Sequence, residues 1–274
     1  MKRQTTLEKF VGPALLAAVA ALTLFPVYWL VTMSIKQEVD QFAVPPLWIS
    51  FRPTLEHYYD IFWVRPFATY FFNSVVVAGI STVVALVIGT IAAYSLARAP
   101  RPGLAFWVLS TRMFPPIVSV IPLLLMLRWA GLLNSRTALI ILYTGFNLPF
   151  VIWMMRGFFA EIPPDLEEAA MMDGETRLGA LWKVLLPVVK PGLAATAAFC
   201  LVIAWNEFLF ALIMSQTDAG TTLPVGIAGR VTQYEIKWGA MSAAGVVAML
   251  PVFLFASAMQ KHLVRGLSLG AVKG

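Results

Sequence analysis

The chain has 274 residues, of which 59% are hydrophobic and 12% are charged, and its mean hydropathy is +0.79. Because soluble globular domains carry about 25% charged residues, this composition excludes an ordinary soluble enzyme and a disordered protein. The single cysteine, Cys200, excludes a disulfide scaffold. The composition predicts instead an all-α polytopic membrane protein.

Six stretches of the chain are long and apolar enough to cross a bilayer, which requires about 20 mainly apolar residues. The first stretch follows a basic start, and Ala18-Val19-Ala20 within it resembles a signal-peptide cleavage site. Its apolar run exceeds the roughly 7–15 residues of a secretory core, so we predict a retained span. The predicted spans cover residues 11–34, 73–97, 104–129, 137–158, 193–215 and 238–260, in one membrane domain over residues 1–274.

The basic residues indicate how these six spans are oriented. An even number of spans places both termini on the same side, and Lys and Arg are enriched in cytoplasmic loops. With the termini inside, the cytoplasmic segments hold twelve of the 20 Lys and Arg residues and the outer segments hold seven, while Arg112 lies within a span. We therefore predict that both termini are cytoplasmic.

The net charge of +6 is explained by these flanking residues and does not indicate a nucleic-acid partner, because no dense basic run is present. Two histidines and one cysteine provide no zinc constellation. The chain also lacks the Gly-x-x-x-x-Gly-Lys-Ser/Thr, Gly-x-Ser-x-Gly and His-Glu-x-x-His patterns. We therefore predict no catalytic residue, no metal ligand and no ATP-binding site in it.

The cytoplasmic segment 159–192 is charged and strongly patterned. Pro163-Pro164 ends the preceding helix, because the residue before a proline avoids helical angles. Asp165 and the acidic residue three positions later form a pair like a capping box. Gly174 is placed to end a helix in the left-handed conformation. The pattern predicts a short helix over Leu166–Asp173 that lies along the membrane surface.

The same segment contains a motif with fixed spacing. Glu168-Ala169-Ala170 is followed after three residues by Gly174, and after nine more by Val184-Leu185-Leu186-Pro187. This arrangement resembles the EAA motif of ATP-binding-cassette importer permeases, in which isoleucine stands where this chain has Val184. In that family the short helix is the coupling helix that docks into a groove on the ATPase subunit. The resemblance thus assigns coupling to Glu168, Ala169, Ala170, Gly174, Leu186 and Pro187.

The resemblance covers most of the chain. The string Trp205-Asn206-Glu207-Phe208 in the fifth predicted span and the C-terminal residues 266–274 are similar to the maltose-type carbohydrate permeases. It implies a permease subunit of the bacterial inner membrane that forms half of the pathway for a sugar or sugar-like solute. It also implies a second permease subunit, two ATPase subunits that bind ATP and Mg²⁺, and a periplasmic substrate-binding protein, with no cofactor bound by this chain.

Other functions remain open at this stage. A glycerol-phosphate-type solute is the nearest alternative, because Arg112 could serve an anion. An ion-coupled secondary transporter is a second alternative, since an acidic group within a span, here Glu207, can relay protons. Such carriers commonly contain paired repeats, which this sequence does not show. A membrane-embedded enzyme would need convergent polar groups, and few such groups lie in the spans.

Two further sets of candidate residues follow from these considerations. Polar groups in spans usually face a cavity or the interior of a bundle, so we predict Arg112, Asn147, Asn206 and Glu207 as pathway residues. Three prolines after Arg112 predict that the third span is bent. In the resembled family the last outer loop reaches into the binding protein, and that likeness implies contacts from Thr222 and Val225.

Overall fold

The computed structural model describes the backbone of residues 6–229 and 236–271 and the side chains of residues 11–229 and 236–257. Over these ranges the structure is helical, and the β pairing consists of one isolated bridge between Lys36 and Pro53. The all-α prediction is therefore confirmed. We label the helices α1 (Thr6–Ile35), α2 (Phe67–Arg98), α3 (Pro102–Ser110), α4 (Pro116–Trp129), α5 (Arg136–Ala160), α6 (Pro164–Met172), α7 (Lys190–Trp205), α8 (Leu209–Met214), α9 (Leu223–Ala228) and α10 (Trp238–Ala271).

Seven shorter helical segments connect these elements. They are Glu38–Gln41, Glu56–Tyr59, Asp60–Val64, Thr111–Met113, Arg177–Ala180, Leu181–Leu185 and Leu186–Val188.

Four helices of the described chain are long and apolar enough to cross a membrane without interruption. They contribute the segments Val11–Ile35, Phe67–Arg98, Arg136–Ala160 and Trp238–Ser257. Two further apolar segments are pairs of helices joined at a sharp bend, and counting each pair as one crossing gives six. The number of apolar segments thus equals the number of predicted spans.

The third predicted span is broken rather than continuous. Residues Pro102–Met113 and α4 meet at an angle of 90° instead of forming one helix over 104–129. Phe114 has an extended ψ of 126°, as expected for a residue before proline, and Pro115 is extended as well. Pro116 then starts α4, where its missing N–H is no loss. The prolines therefore impose the predicted bend, and they make it a complete break.

The fifth predicted span is also interrupted. Helix α7 begins at Lys190 and ends at Trp205, and α8 covers Leu209–Met214 after a break at residues 206–208. A second bend of 81° separates Arg177–Val188 from the start of α7. Side chains at the break bond to nearby backbone groups, and this local bonding competes with a continuous helix.

Contacts divide the chain into two compact units, and the first comprises residues 1–67 and 227–250. Within it the Lys36 side chain is only 1% exposed, and its ammonium lies 5.0 Å from the centre of the Trp29 ring. The buried His57 ring shares a hydrogen bond of 2.7 Å with the Lys36 carbonyl. A side chain at Gly239 would overlap the His57 ring, so a glycine is required there. Nothing in the sequence singled out Lys36 or His57 as buried residues.

The second unit comprises residues 68–226 and 251–274. Its apolar core is formed where α2, α5 and α7 pack together with the segment Leu181–Val189. Gly89 of α2 approaches Val151 of α5 so closely that a Cβ atom there would overlap the valine. Cys200 of α7 lies in this core with no exposed surface, as the small core residue expected from sequence. The core holds the elements that carry the candidate functional residues.

Candidate functional site

Helix α6 starts two residues earlier than the sequence predicts. Pro163 is its N-cap residue, Pro164 is its first residue, and no side chain caps it. Asp165 therefore lies inside the first turn, and the predicted capping pair with Glu168 is wrong. Proline is well suited to the first helical position because its fixed φ matches the helix. The acidic residues of this turn still favour the helix through its positive N-terminal dipole.

Helix α6 ends at the predicted glycine. Gly174 has a φ of +92°, a conformation that residues with a Cβ rarely adopt. The Glu175 N–H donates to the Ala170 carbonyl at 3.1 Å and the Gly174 N–H to the Met171 carbonyl at 3.1 Å, which satisfies carbonyls at the helix end. A Cβ atom at Gly174 would meet nothing within 4 Å. Within this chain the glycine is thus required by the backbone rather than by crowding.

The motif residues differ in exposure. Glu168, Ala169, Gly174 and Pro187 are exposed, Leu186 is half-buried and Ala170 is buried. The same part of the chain exposes the large apolar side chains Leu166, Met172, Leu178 and Trp182, of which Met172 is 88% exposed. Apolar groups left uncovered beside a polar motif are typical of a surface that binds another protein.

The neighbouring glutamate, Glu167, is buried and joins α6 to the end of α2. Its Oε2 accepts a hydrogen bond of 2.5 Å from Arg98 Nε, and its Oε1 accepts one from the Tyr94 hydroxyl. Arg98 Nη1 also donates to the Ile162 carbonyl at 3.2 Å. We call Tyr94, Arg98 and Glu167 the α2–α6 junction. A partly buried ion pair with these additional hydrogen bonds fixes the position of α6 relative to the second span.

This junction was not predicted, because the motif and the predicted capping pair both drew attention to Glu168 rather than to Glu167. Positions 167 and 170 are three residues apart and share one helix face, which α6 buries, whereas position 168 points away. The available signal was Arg98 at the end of a span and an acidic helix predicted on the same side of the membrane. No pattern in the sequence decides which of two adjacent glutamates pairs with it.

Three of the four predicted pathway residues line one pocket of the second unit. It has a volume of about 280 Å³, and we call it the bend pocket because its lining comes from the break between α3 and α4, from α5, and from the break between α7 and α8. Arg112, Asn147 and Glu207 belong to the lining, and Asn206 does not. The complete lining is Thr111, Arg112, Phe114, Pro116, Tyr143, Phe146, Asn147, Ile203, Ala204, Glu207, Leu209 and Phe210.

Glu207 holds the second of these breaks together. Its Oε2 accepts a hydrogen bond from the Tyr143 hydroxyl at 2.6 Å and one from the Ala211 N–H at 3.2 Å. Its Oε1 accepts one from the Phe210 N–H at 2.9 Å. The carboxylate therefore caps α8 and connects it to α5, a structural role that was not predicted from the sequence.

The other predicted pathway residues make fewer hydrogen bonds than Glu207. The Arg112 Nη1 donates to the Phe146 carbonyl at 2.8 Å, and its guanidinium lies 5.7 Å from the centre of the Phe150 ring. The side chain is otherwise exposed. Asn147 is 1% exposed and donates to the Cys200 carbonyl at 3.4 Å, while its Oδ1 has no protein partner. Asn206 is exposed and bonds its own helix at Val202.

The segment after α8 is an irregular loop over 215–222 that is followed by α9, and α2 holds this loop in place. Asn73 is completely buried, and its Nδ2 donates to the carbonyls of Asp218, Ala219 and Thr221. Its Oδ1 accepts a hydrogen bond of 2.6 Å from Arg136 Nε. The Asn73 side chain is thus one of several contacts that fix the loop, together with the bond from the Gln216 N–H to Asn134 Oδ1. These hydrogen bonds of Asn73 were not predicted, because Asn73 lies at the boundary of an apolar stretch and has no motif around it.

The residues predicted to contact a partner from this loop are poorly accessible. Thr222 is 2% exposed and Val225 is half-buried. Burial follows from the anchoring of the next residue, because the Leu223 N–H donates to Ser74 Oγ at 2.8 Å. The exposed part of the loop is instead 216–219. In the described part of the chain, no group of His, Cys, Asp and Glu residues could hold a metal ion.

Comparison with known proteins places these features in a family. The family model of the binding-protein-dependent transport system inner membrane component matches residues 85–269. SmoH of Agrobacterium fabrum, a sulfoquinovosyl glycerol transport system permease protein, is 39% identical over 92% of this chain and 89% of its own length. MalG of Thermococcus litoralis, a trehalose/maltose transport system permease protein, is 34% identical over 93% of each chain.

A solved structure shows the same fold. A chain of a bacterial ABC transporter involved in the import of the acidic polysaccharide alginate superimposes with a TM-score of 0.78 at 24% identity. The match covers 95% of this chain and 99% of the other. At that identity the likeness supports the fold of the chain rather than its substrate.

Proposed function

The chain belongs to the family of binding-protein-dependent transport system inner membrane components, and on that premise we propose that it forms half of the pathway of an ATP-driven importer for a sugar or sugar-like solute. The observation that carries the proposal is near full-length similarity to permeases named for carbohydrates, at 34–39% identity. Two features of this chain are consistent with the proposal: the exposed motif of α6 offers a surface for a partner, and the bend pocket offers polar groups to a solute.

The proposed role of α6 is to receive movement from separate ATPase subunits. Glu168, Ala169 and the nearby exposed apolar side chains offer a partner surface, and two alanines allow close approach. ATP and Mg²⁺ would be bound by those ATPase subunits and not by this chain. The α2–α6 junction then connects the moved helix to a membrane span through a partly buried ion pair.

The proposed pathway passes the bend pocket, between this chain and a second permease subunit. A broken helix exposes backbone and polar side chains at membrane depth, which is tolerated where they line a cavity. Arg112, Asn147 and Tyr143 offer donors and acceptors that hydroxylated solutes require. Glu207 supports the wall of the pocket rather than binding the solute, since its carboxylate accepts bonds from nearby protein groups, and Asn206 lies outside the lining.

The outer loop supplies the proposed contact with a periplasmic substrate-binding protein. Its exposed tip at 216–219 is a better candidate for this contact than the buried Thr222. Both termini are placed in the cytoplasm in this proposal, in line with the distribution of basic residues, and the membrane is the bacterial inner membrane.

The proposal is tested by reconstituting the chain with its partner permease and ATPase subunits in vesicles. Uptake of labelled sugars delivered by the binding protein is measured with ATP, with a non-hydrolysable analogue, and with an ATPase variant unable to hydrolyse ATP. We expect uptake only with hydrolysable ATP. Uptake that persists without the ATPase and stops with an ionophore would instead support an ion-coupled carrier.

A further inference from the structure

The charges of the bend pocket point to a narrower class of solute. We propose that this pocket binds the oxyanion group of a charged sugar or polyol, such as a carboxylate, sulfonate or phosphate, and that Arg112 is the anion-binding residue. The inference rests on the proposed import function, because it names the solute class of the same pathway.

The first observation is that the Arg112 charge is not neutralised. Over the residues whose side chains are described, its contacts are one backbone carbonyl and one aromatic face, and no carboxylate forms an ion pair with it. A guanidinium has five N–H donors in a planar fork, so donors remain after the bond to Phe146. A charge at membrane depth costs several kcal/mol unless water or a counter-charge accompanies it. The position therefore favours an anion.

The second observation is that the acid of the same pocket does not compete for Arg112. Glu207 accepts hydrogen bonds from Tyr143, Phe210 and Ala211, which occupy both of its oxygens. Its negative charge also lies at the N-terminal end of α8, where backbone N–H groups stabilise it. The pocket thus contains one satisfied carboxylate and one guanidinium with free donors.

The remaining lining suits the uncharged part of such a solute. Phe146 and Phe210 stack on each other with ring centres 4.6 Å apart and provide apolar surface beside Asn147 and Thr111. A volume of about 280 Å³ is near the lower end of the roughly 300–1,000 Å³ found for small-molecule sites. This size fits a single sugar ring with its charged substituent. A fork of N–H donors recognises a planar or tetrahedral oxyanion through two parallel hydrogen bonds.

The experiment compares matched pairs of solutes in the reconstituted importer. The pairs are D-galacturonate with D-galactose, and glycerol 3-phosphate with glycerol. For each solute the uptake rate of a variant is divided by that of the wild type, so the selectivity of the binding protein cancels. We expect Arg112→Gln to lower uptake of the anionic member about tenfold more than that of the neutral member, because a charge-assisted bond is lost. Arg112→Lys should retain most of the anion uptake.

Arg128→Gln is the matched control, because Arg128 is an exposed cation of the same broken span outside the pocket. It should leave both members of each pair unchanged. The inference would be overturned if Arg112→Gln lowered uptake of the anionic and the neutral member equally. It would also be overturned if the wild-type importer took up only the neutral solutes. Either result would leave the import function standing. Loss of the partner permease from purified Arg112→Gln complexes would also overturn it, because Arg112 would then be an interface residue. Failure of ATP-driven uptake for every solute would instead overturn the proposed function.

Discussion

Gly174 shows how a single residue can be required for one of two physical reasons. Its φ of +92° excludes most side chains, yet in the described part of the chain no atom beyond the adjacent residues lies within 4 Å of the place that a Cβ atom would occupy. We expect Gly174→Val to destabilise the end of α6 by about 1–2 kcal/mol, because branched residues are strained in this conformation. Gly174→Asn should keep the backbone, since asparagine adopts it more readily. Uptake rates and the amount of co-purified ATPase are the measurements.

The Gly174 variants separate backbone strain from close approach of the ATPase. Normal uptake in Gly174→Asn with impaired uptake in Gly174→Val assigns the requirement to the backbone. Equal failure of ATPase binding in both variants, with normal membrane insertion, assigns it to docking. Gly174→Asp should also abolish uptake if docking requires a small uncharged surface.

We expect substitutions of Glu207 to lower the stability of the folded protein, whatever their effect on transport. Glu207→Ala removes the acceptor of three hydrogen bonds and the cap of α8, so we expect the purified protein to lose about 2 kcal/mol of stability. Glu207→Gln keeps one carbonyl acceptor and should lose less. Asn206→Ala, which removes one bond to Val202 on the surface, is the matched control and should change stability by less than about 1 kcal/mol. Thermal unfolding in detergent measures all three, and equal effects would contradict the capping role.

The α2–α6 junction connects the helix that carries the motif to a membrane span. Arg98→Gln leaves the buried Glu167 without its ionic partner, and breaking such a pair costs about 3–5 kcal/mol. We expect α6 to lose its fixed position, so that ATP hydrolysis continues while solute uptake falls. Tyr94→Phe removes one hydrogen bond and should give a milder form of the same uncoupling. The ratio of solute imported to ATP hydrolysed is the measurement.

Glu168→Gln is the natural control for this junction, because Glu168 is the adjacent and exposed glutamate. It should reduce ATPase binding without changing the stability of the isolated permease. Glu167→Gln should reduce that stability and leave the docking surface chemically unchanged. The assignment of the two glutamates would be reversed if Glu168→Gln destabilised the protein and Glu167→Gln did not.

A second element-scale prediction concerns the loop held by Asn73. Asn73→Asp keeps the acceptor for Arg136 and removes the donors to three loop carbonyls, so it separates the two functions of this side chain. We expect the loop to lose its fixed path and uptake from the binding protein to fall. Crosslinking from Thr217→Cys to the binding protein, compared with and without Asn73→Asp, measures this effect. Unchanged crosslinking and uptake would show that the loop is held by other contacts.

Sequence predicts the helices well and their interruptions poorly, for physical reasons. Long apolar runs determine where a backbone must satisfy its own hydrogen bonds, so the fold class and the number of apolar segments follow from composition. The break after Trp205 depends on the Glu207 carboxylate reaching Tyr143, which is 64 positions away. Likewise the burial of Glu167 depends on Arg98, 69 positions away. Contacts of this range are not encoded in any local spacing.

At the scale of the whole molecule, both units contain contacts that the sequence did not predict. The second unit contains the motif, the pocket and most of the family match, yet its α2–α6 junction and the hydrogen bonds of Asn73 were missed. The first unit buries Lys36 and His57 among aromatic and backbone groups, and neither was expected inside. Charged residues in outer loops are assigned to solvent by default, and only a folded structure reveals such an exception.

The orientation in the membrane is the last prediction, and the single cysteine makes it directly testable. Cys200 has no exposed surface, so the unmodified chain should not react with a membrane-impermeant maleimide. Thr217→Cys and Ala99→Cys each introduce an exposed thiol, the first in the outer loop and the second between α2 and α3. In spheroplasts we expect Thr217→Cys to be labelled at once and Ala99→Cys only after lysis. A reporter fused after Gly274 should be active only in the cytoplasm. Labelling of Ala99→Cys in intact spheroplasts, with Thr217→Cys protected, would place the termini outside and contradict the rule that excess Lys and Arg mark the cytoplasmic side.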